Sequence, residues 1–221
     1  MSNDALVTRP DYDITTKYLF HWTEQVLKIA LQKGFHILDL PSTKATRKNY
    51  DSYQNKWKPG FIFVNGHGNE RLIAGHDNEP LISIEDSDLS KYKGSIIYAR
   101  SCKSAVALGP KLVDSGLSAY IGYTQNFVFF HSSPYAATPI KDPVSRIFLN
   151  PSNLVASSII KGNTVGSAHA RSIKAMKKTL RRMLSSASTP DERDMAPYLW
   201  SNINAQVIIG DQNAKINTQN S

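Results

Sequence analysis

The 221-residue chain has one cysteine, no apolar run approaching membrane-spanning length, and no basic-then-apolar leader at its N-terminus. One cysteine excludes an intramolecular disulfide. Together the three absences point to a reducing, cytoplasmic setting and to no membrane partner. No internal repeat is visible. An RNP-type aromatic motif, a helix-turn-helix cue and zinc-finger spacing are also missing, which leaves nucleic acid as an indirect partner at most. Acid is in short supply: 18 Asp and Glu stand against 26 Lys and Arg, for a net charge of +8.

What is present suits one globular unit. Hydrophobic residues make up 41% of the chain, enough for a sizeable core, and the length suits a single domain over 1–221. Residues 1–10 and the polar stretch 213–221 read as flexible ends. Phe61–Val64 and Ser95–Ala99 read as buried strands, with shorter ones at 35–40, 119–123 and 207–209. Residues 127–130 extend or follow the 119–123 strand. Thr15 or Thr16 is expected to cap a helix running to Gln32, with Gly34 as its stop. A short helix is expected within 42–58, a hairpin or loop insert over 72–84, and a helix over 106–114. Two further helices span 146–161, interrupted at Asn150-Pro151, and 165–186, followed by a linker over 188–194. Strands alternating with helices give an α/β fold, a mainly parallel sheet flanked by helices on both faces.

The helix at 165–186 is amphipathic. Arg171, Lys174, Lys178, Arg181 and Arg182 fall on one face; Ile173, Met176, Leu180, Met183, Leu184 and Ala187 fall on the other. The basic face is either a solvated surface or a docking face for an acidic protein or RNA.

Cys102 and His67 carry the chemistry. Each follows an apolar strand: Phe61–Val64 runs into Asn65-Gly66-His67-Gly68, and Ile96–Ala99 runs into Arg100-Ser101-Cys102-Lys103. The carboxyl edge of an open α/β sheet is where ligands bind. A free thiol is mostly protonated at neutral pH, so a nucleophilic Cys102 needs a base such as His67 to take its proton and return it to a leaving amine. Gly66 permits a sharp exit from the strand. Gly68 lets the backbone approach a substrate, and its N–H, with that of Cys102, supplies an oxyanion hole. Asn65, Glu70 or a backbone carbonyl are candidates to orient His67, with no acid obvious. The competing readings are Cys102 as a small buried hydrophobe and a zinc site from His67, His76 and Cys102.

At these residues the chain resembles the caspase-like cysteine peptidases, which include caspases, gingipains, metacaspases, separases and CHAT domains. The segments Phe61 to Gly68 and Ile96 to Ala105 carry the likeness. The run from Tyr98 through Leu108-Gly109 to Ala119–Tyr123, and the ending Trp200 to Asp211, resemble the CHAT and gingipain branch. The resemblance implies a caspase-like three-layer sandwich and hydrolysis of a peptide bond in a protein substrate through a Cys102 thioester, with His67 as general acid/base. It implies no cofactor and no metal for catalysis. It also implies activation by a partner or a neighbouring domain, as in bacterial defence or programmed death; since a catalytic-type domain takes up nearly all 221 residues, a regulator is expected on another polypeptide. Where caspases have Gln-Ala-Cys, this chain has Arg-Ser-Cys. In relatives the position of Arg100 lines the specificity pocket, so a guanidinium there implies an acidic residue before the scissile bond. The alternative is that Arg100 pairs with a structural carboxylate such as Asp142. Asp142 itself is expected at the substrate cleft, and the aromatic stretch 124–143 is a candidate specificity or activation loop. The rival to a peptidase is a catalytically silent caspase-like module that binds a protein or RNA partner through the basic helix.

Overall fold

Strand β1 (Asp4–Arg9), helix α1 (Ile14–Gln32), β2 (His36–Pro41), α2 (Arg47–Trp57) and β3 (Phe61–Asn65) open the computed structural model, which describes residues 3–216. The hairpin β4 (Leu72–Ala74) and β5 (Pro80–Ser83) follows, then β6 (Ile96–Arg100), α3 (Leu108–Asp114), β7 (Ala119–Tyr123), α4 (Pro143–Ile160), α5 (Val165–Met183), α6 (Pro190–Ala205) and β8 (Gln206–Gly210). Six strands form one sheet in the order β2-β1-β3-β6-β7-β8. All neighbours are parallel except β8, which runs antiparallel to β7.

Helices cover both faces, so the central strands read as continuous apolar runs. Their side chains divide by alternation. Phe61, Phe63, Ile96 and Tyr98 pack with α1 and α4, while Ile62, Val64, Ile97 and Ala99 pack with α2, α3 and the hairpin. A third apolar cluster, with Phe148, Met176, Met183 and Leu199, joins α4, α5 and α6 outside the first layer. The α/β sandwich is the one the alternation of elements predicts.

Several local expectations are corrected. Residues 4–9 are not a frayed end: β1 lies between β2 and β3, and all six of its residues are buried. Asp-Ala-Leu-Val-Thr-Arg has only three central apolar residues, so its polar ends hide a strand whose burial is decided by its neighbours. At the other terminus Ile216 is buried; the rest of the expected flexible tail, 217–221, lies outside the described residues. Helix α1 is capped by Asp13 rather than Thr15 or Thr16, and Thr16 completes the reciprocal capping box. Helix α4 runs unbroken through Pro151. Residues 127–130 form no strand. The supposed linker after 188 instead begins α6, which Thr189, Pro190 and Glu192 announce as a capping box with proline at the first helical position.

Candidate active site

The strand register puts the two expected residues just beyond the ends of adjacent strands. β3 and β6 pair in parallel with Asn65 opposite Arg100, and the Gly66 N–H reaches the Arg100 carbonyl at 3.4 Å. His67 and Cys102 each lie two residues beyond that matched pair. They therefore leave the carboxyl edge of adjacent strands, about 4.8 Å apart, at the same level. Gly66 makes the exit with φ +153°, and a Cβ there would stand 2.2 Å from the Ala74 carbonyl oxygen. Gly68 lies directly against the cysteine loop: a Cβ on it would stand 2.1 Å from Ser101 Oγ and 2.6 Å from the Leu72 carbonyl oxygen. Only glycine allows both approaches.

His67 has an acid partner, and it is Asp13. His67 Nε2 lies 2.6 Å from Asp13 Oδ2. An ionised carboxylate only accepts, so Nε2 carries the proton and Nδ1 of the neutral ring is left as the basic nitrogen. Partial burial works against the Asp13 charge, but the Thr16 amide and hydroxyl and the His67 ring outweigh it and hold the carboxyl below its usual range. Asp13 is thus both the N-cap of α1 and the orienting group of His67. It follows β1 as His67 follows β3 and Cys102 follows β6, so three neighbouring strands each deliver one group to a single edge. Neither Asn65 nor Glu70 orients the ring. Asn65 is buried, with Nδ2 donating to the Thr8 carbonyl at 2.8 Å; Glu70 is exposed, and its carbonyl accepts the Leu108 N–H at 2.9 Å. The sequence signal for Asp13 was its cap pattern, Asp followed by Thr three residues on, which the reading of 1–10 as a loose end obscured.

Cys102 sits on a tethered turn. Lys103, the next residue, has φ +54°, a left-handed conformation unusual for a side chain of its size. Its N–H donates to Gln125 O at 3.0 Å, and the Ala105 N–H donates to Tyr123 O at 3.1 Å. Ser104 Oγ accepts from the Tyr120 hydroxyl at 2.8 Å. Burial pushes the Cys102 thiol above its usual value, opposed by the Phe127 backbone N–H and the Lys103 charge. The segment bearing Phe127 is fixed on both sides by α6: the Thr124 N–H donates to Ala205 O at 2.9 Å, and Asn202 bonds both the N–H and the carbonyl of Val128, at 3.0 and 2.6 Å.

The two expected substrate-binding residues lie elsewhere. Arg100 is wholly buried and cannot line an open pocket. Alternation along β6 turns it toward α1 and α4, the opposite way from the loop that carries Cys102. Its guanidinium donates to Asn65 Oδ1 (2.7 Å), Asn153 Oδ1 (2.8 Å), Thr23 Oγ1 (2.5 Å) and Leu19 O (3.4 Å), and stacks on Phe63. No carboxylate is among these partners, and burial lowers its pKa to about 10. Asp142 is also fully buried. It caps α4 and accepts the Tyr18 hydroxyl at 2.9 Å and the Ser132 N–H at 2.9 Å. The acidic cleavage preference inferred from Arg100 therefore loses its basis, and so does an Arg100–Asp142 pair. Among the described residues no group of three or more His, Cys, Asp or Glu side chains is placed to hold a metal ion, and no helix is long and apolar enough to cross a membrane.

No family model and no curated protein matches the chain. Solved structures do. The chain superposes on the Arg-specific cysteine proteinase gingipain R with a TM-score of 0.61 at 11% identity, over 97% of this chain and 48% of that one. It matches the complex of the Porphyromonas gingivalis RgpB pro- and mature domains with a TM-score of 0.58 at 10% identity, over 96% of this chain and 48% of that one. A third structure, described as a protease, gives 0.61 at 16% identity over 97% and 48%. The chain thus has the caspase-like fold of gingipain and spans about half the length of these neighbours.

Proposed function

We propose that this chain is a cysteine endopeptidase of the caspase-like kind. What supports the reading is that Asp13, His67 and Cys102 each follow the carboxyl end of one of three adjacent parallel strands, with His67 Nε2 2.6 Å from Asp13 Oδ2. Cys102 Sγ attacks the scissile carbonyl carbon while its proton passes to the free nitrogen of His67. The tetrahedral oxyanion is received by the N–H groups of Gly68 and Cys102. His67 then protonates the departing amine, leaving a Cys102 thioester. A water molecule, deprotonated by His67, releases the acid and restores the thiol. Asp13 holds the ring in the tautomer this requires and favours the imidazolium formed on the way. Burial holds the thiol above its usual value, so transfer of its proton to His67 accompanies the attack; regulation of the site is assigned to a protein partner. The gingipain complex with its pro-domain supports a protein as that partner. A role in bacterial defence belongs to the same proposal by analogy of fold.

The rate of Cys102 alkylation against pH, read by intact mass, tests the pairing without a known substrate. Wild type is expected to react faster than His67→Ala near neutral pH, and His67→Ala to show a single inflection above the ordinary thiol value of about 8.5. Superimposable profiles would sink the reading and favour the silent binding module. With a cleavable peptide in hand, His67→Ala is expected to lower turnover about 10²–10⁴-fold.

A further inference from the structure

Helix α5 carries six of the 26 basic residues and no acidic one, so six of the eight net positive charges sit on it and the rest of the chain is at +2. Arg182 is paired with Glu192 at 2.7 Å. Arg171, Lys174, Lys177, Lys178 and Arg181 are exposed and have no ion-pair partner among the described residues.

Beside this stripe is an uncovered apolar surface. Leu184, expected on the core side of the helix, is 65% exposed, and Trp200 on α6 is 53% exposed. Together with Leu180, Ala196, Pro197 and the stem of Arg193 they line a groove of about 470 Å³ between the two helices. Helical spacing puts Ile173, Lys177, Leu180–Arg181 and Leu184 in one row about 16 Å long. Lys177 and Arg181 therefore flank the α5 side of the groove at Leu180, and with Lys174 and Lys178 they line a second hollow on α5 around Ile173. On the α6 side the exposed charges are mixed, Asp191 and Asp194 beside Arg193; an exposed apolar patch with a charged rim marks an interaction surface.

We infer that the α5–α6 face is a docking site for an acidic segment of another protein, one that inserts an aliphatic or aromatic side chain between Leu184 and Trp200 and sets carboxylates against Lys177 and Arg181. Charge complementarity selects this occupant. A second copy would set the five unpaired cations of α5 against five more in a two-fold contact. A nucleic acid strand would want aromatic platforms along the basic stripe, whereas the apolar side chains among the α5 cations are Ile173, Leu180 and Leu184, and Trp200 is the one aromatic lining the groove. The inference does not depend on the peptidase reading.

The test uses the Cys102→Ala protein, so that catalysis plays no part. Random dodecapeptides displayed on phage are selected against it, and the consensus is synthesised with a fluorophore. The expected consensus holds acidic residues around one large apolar residue. Its affinity is expected to fall at least about tenfold in Lys177→Glu/Arg181→Glu and again in Leu184→Asp/Trp200→Ala, and to weaken as salt is raised. All four positions are exposed, and thermal melts of each variant confirm the fold. A consensus without acid, or binding untouched by either double variant, would overturn the inference. So would tighter binding of labelled oligouridylate at the same residues, or a concentration-dependent dimer in sedimentation that the same substitutions abolish.

Discussion

Two regions of this molecule hold positive charge in opposite ways. Under the carboxyl edge of the sheet, Arg100 is entirely buried and each of its nitrogens is met by a neutral oxygen. On the outer face of α5, five cations stand in solvent with no ion-pair partner among the described residues. A buried cation is tolerated only where hydrogen bonds replace its water, and the bonds of Arg100 make it part of the frame that joins β3, β6, α1 and α4. Exposed, unpaired cations add almost nothing to folding and are free to serve recognition. Charge alone is therefore a poor guide to function here; the partners of each charge decide.

Substitutions sharpen this contrast in order of size. Arg100→Met should cost about 3 kcal/mol in urea unfolding, because Asn65 and Asn153 would each be left with a buried oxygen unpaired and Thr23 Oγ1 would keep only its bond to the Leu19 carbonyl. Arg100→Lys should fall between, since one ammonium cannot reach all of them. If Arg100→Met unfolds like wild type, the frame does not rest on this residue.

Gly68→Ala comes next, at about 1–3 kcal/mol, with loss of peptide cleavage. The methyl would drive Ser101 and the Leu72 carbonyl apart from the His67 loop. A crystal structure of the variant with the loop unmoved would contradict the close approach.

Asp13 separates its two duties. Asp13→Ala should cost about 1 kcal/mol through the lost cap, whereas Asp13→Asn keeps a capping oxygen and should retain stability while slowing cleavage. The pH dependence has a definite sign. Because the folded carboxyl is held below its usual value, its stabilisation is complete above the unfolded value of about 3.9 and disappears as pH falls through the lower folded value. The stability gap between wild type and Asp13→Ala should therefore be flat from neutral pH downward and close only in acid; a gap that closed near neutrality would assign the effect to another group.

At the outer face, Lys177→Glu/Arg181→Glu should change stability by less than about 0.5 kcal/mol. A large loss on thermal melting would show that these cations belong to the frame after all.

Much of the site was legible because it depends on short-range pattern. Apolar runs ending in Gly-His-Gly and Ser-Cys announce strands that stop at a functional edge, and parallel pairing leaves few ways to place them. β1 was not legible: three apolar residues between polar ends look like a tail until two neighbouring strands bury them. With β1 missing, Asp13 had no reason to lie near His67, 54 residues away in sequence. The start of α6 was legible in Thr189, Pro190 and Glu192, but its exposed Trp200 was not, because exposure depends on what the other helices leave uncovered.

The sequence by itself determined the α/β class, the strands that end in His67 and Cys102, and the basic face of α5, since hydrophobic period and turn chemistry are local. Only the tertiary structure decided that Asp13 orients His67, that Arg100 turns inward, and that Leu184 faces solvent. Each of these depends on where a side chain meets residues far along the chain, and that is set by packing rather than by sequence neighbours.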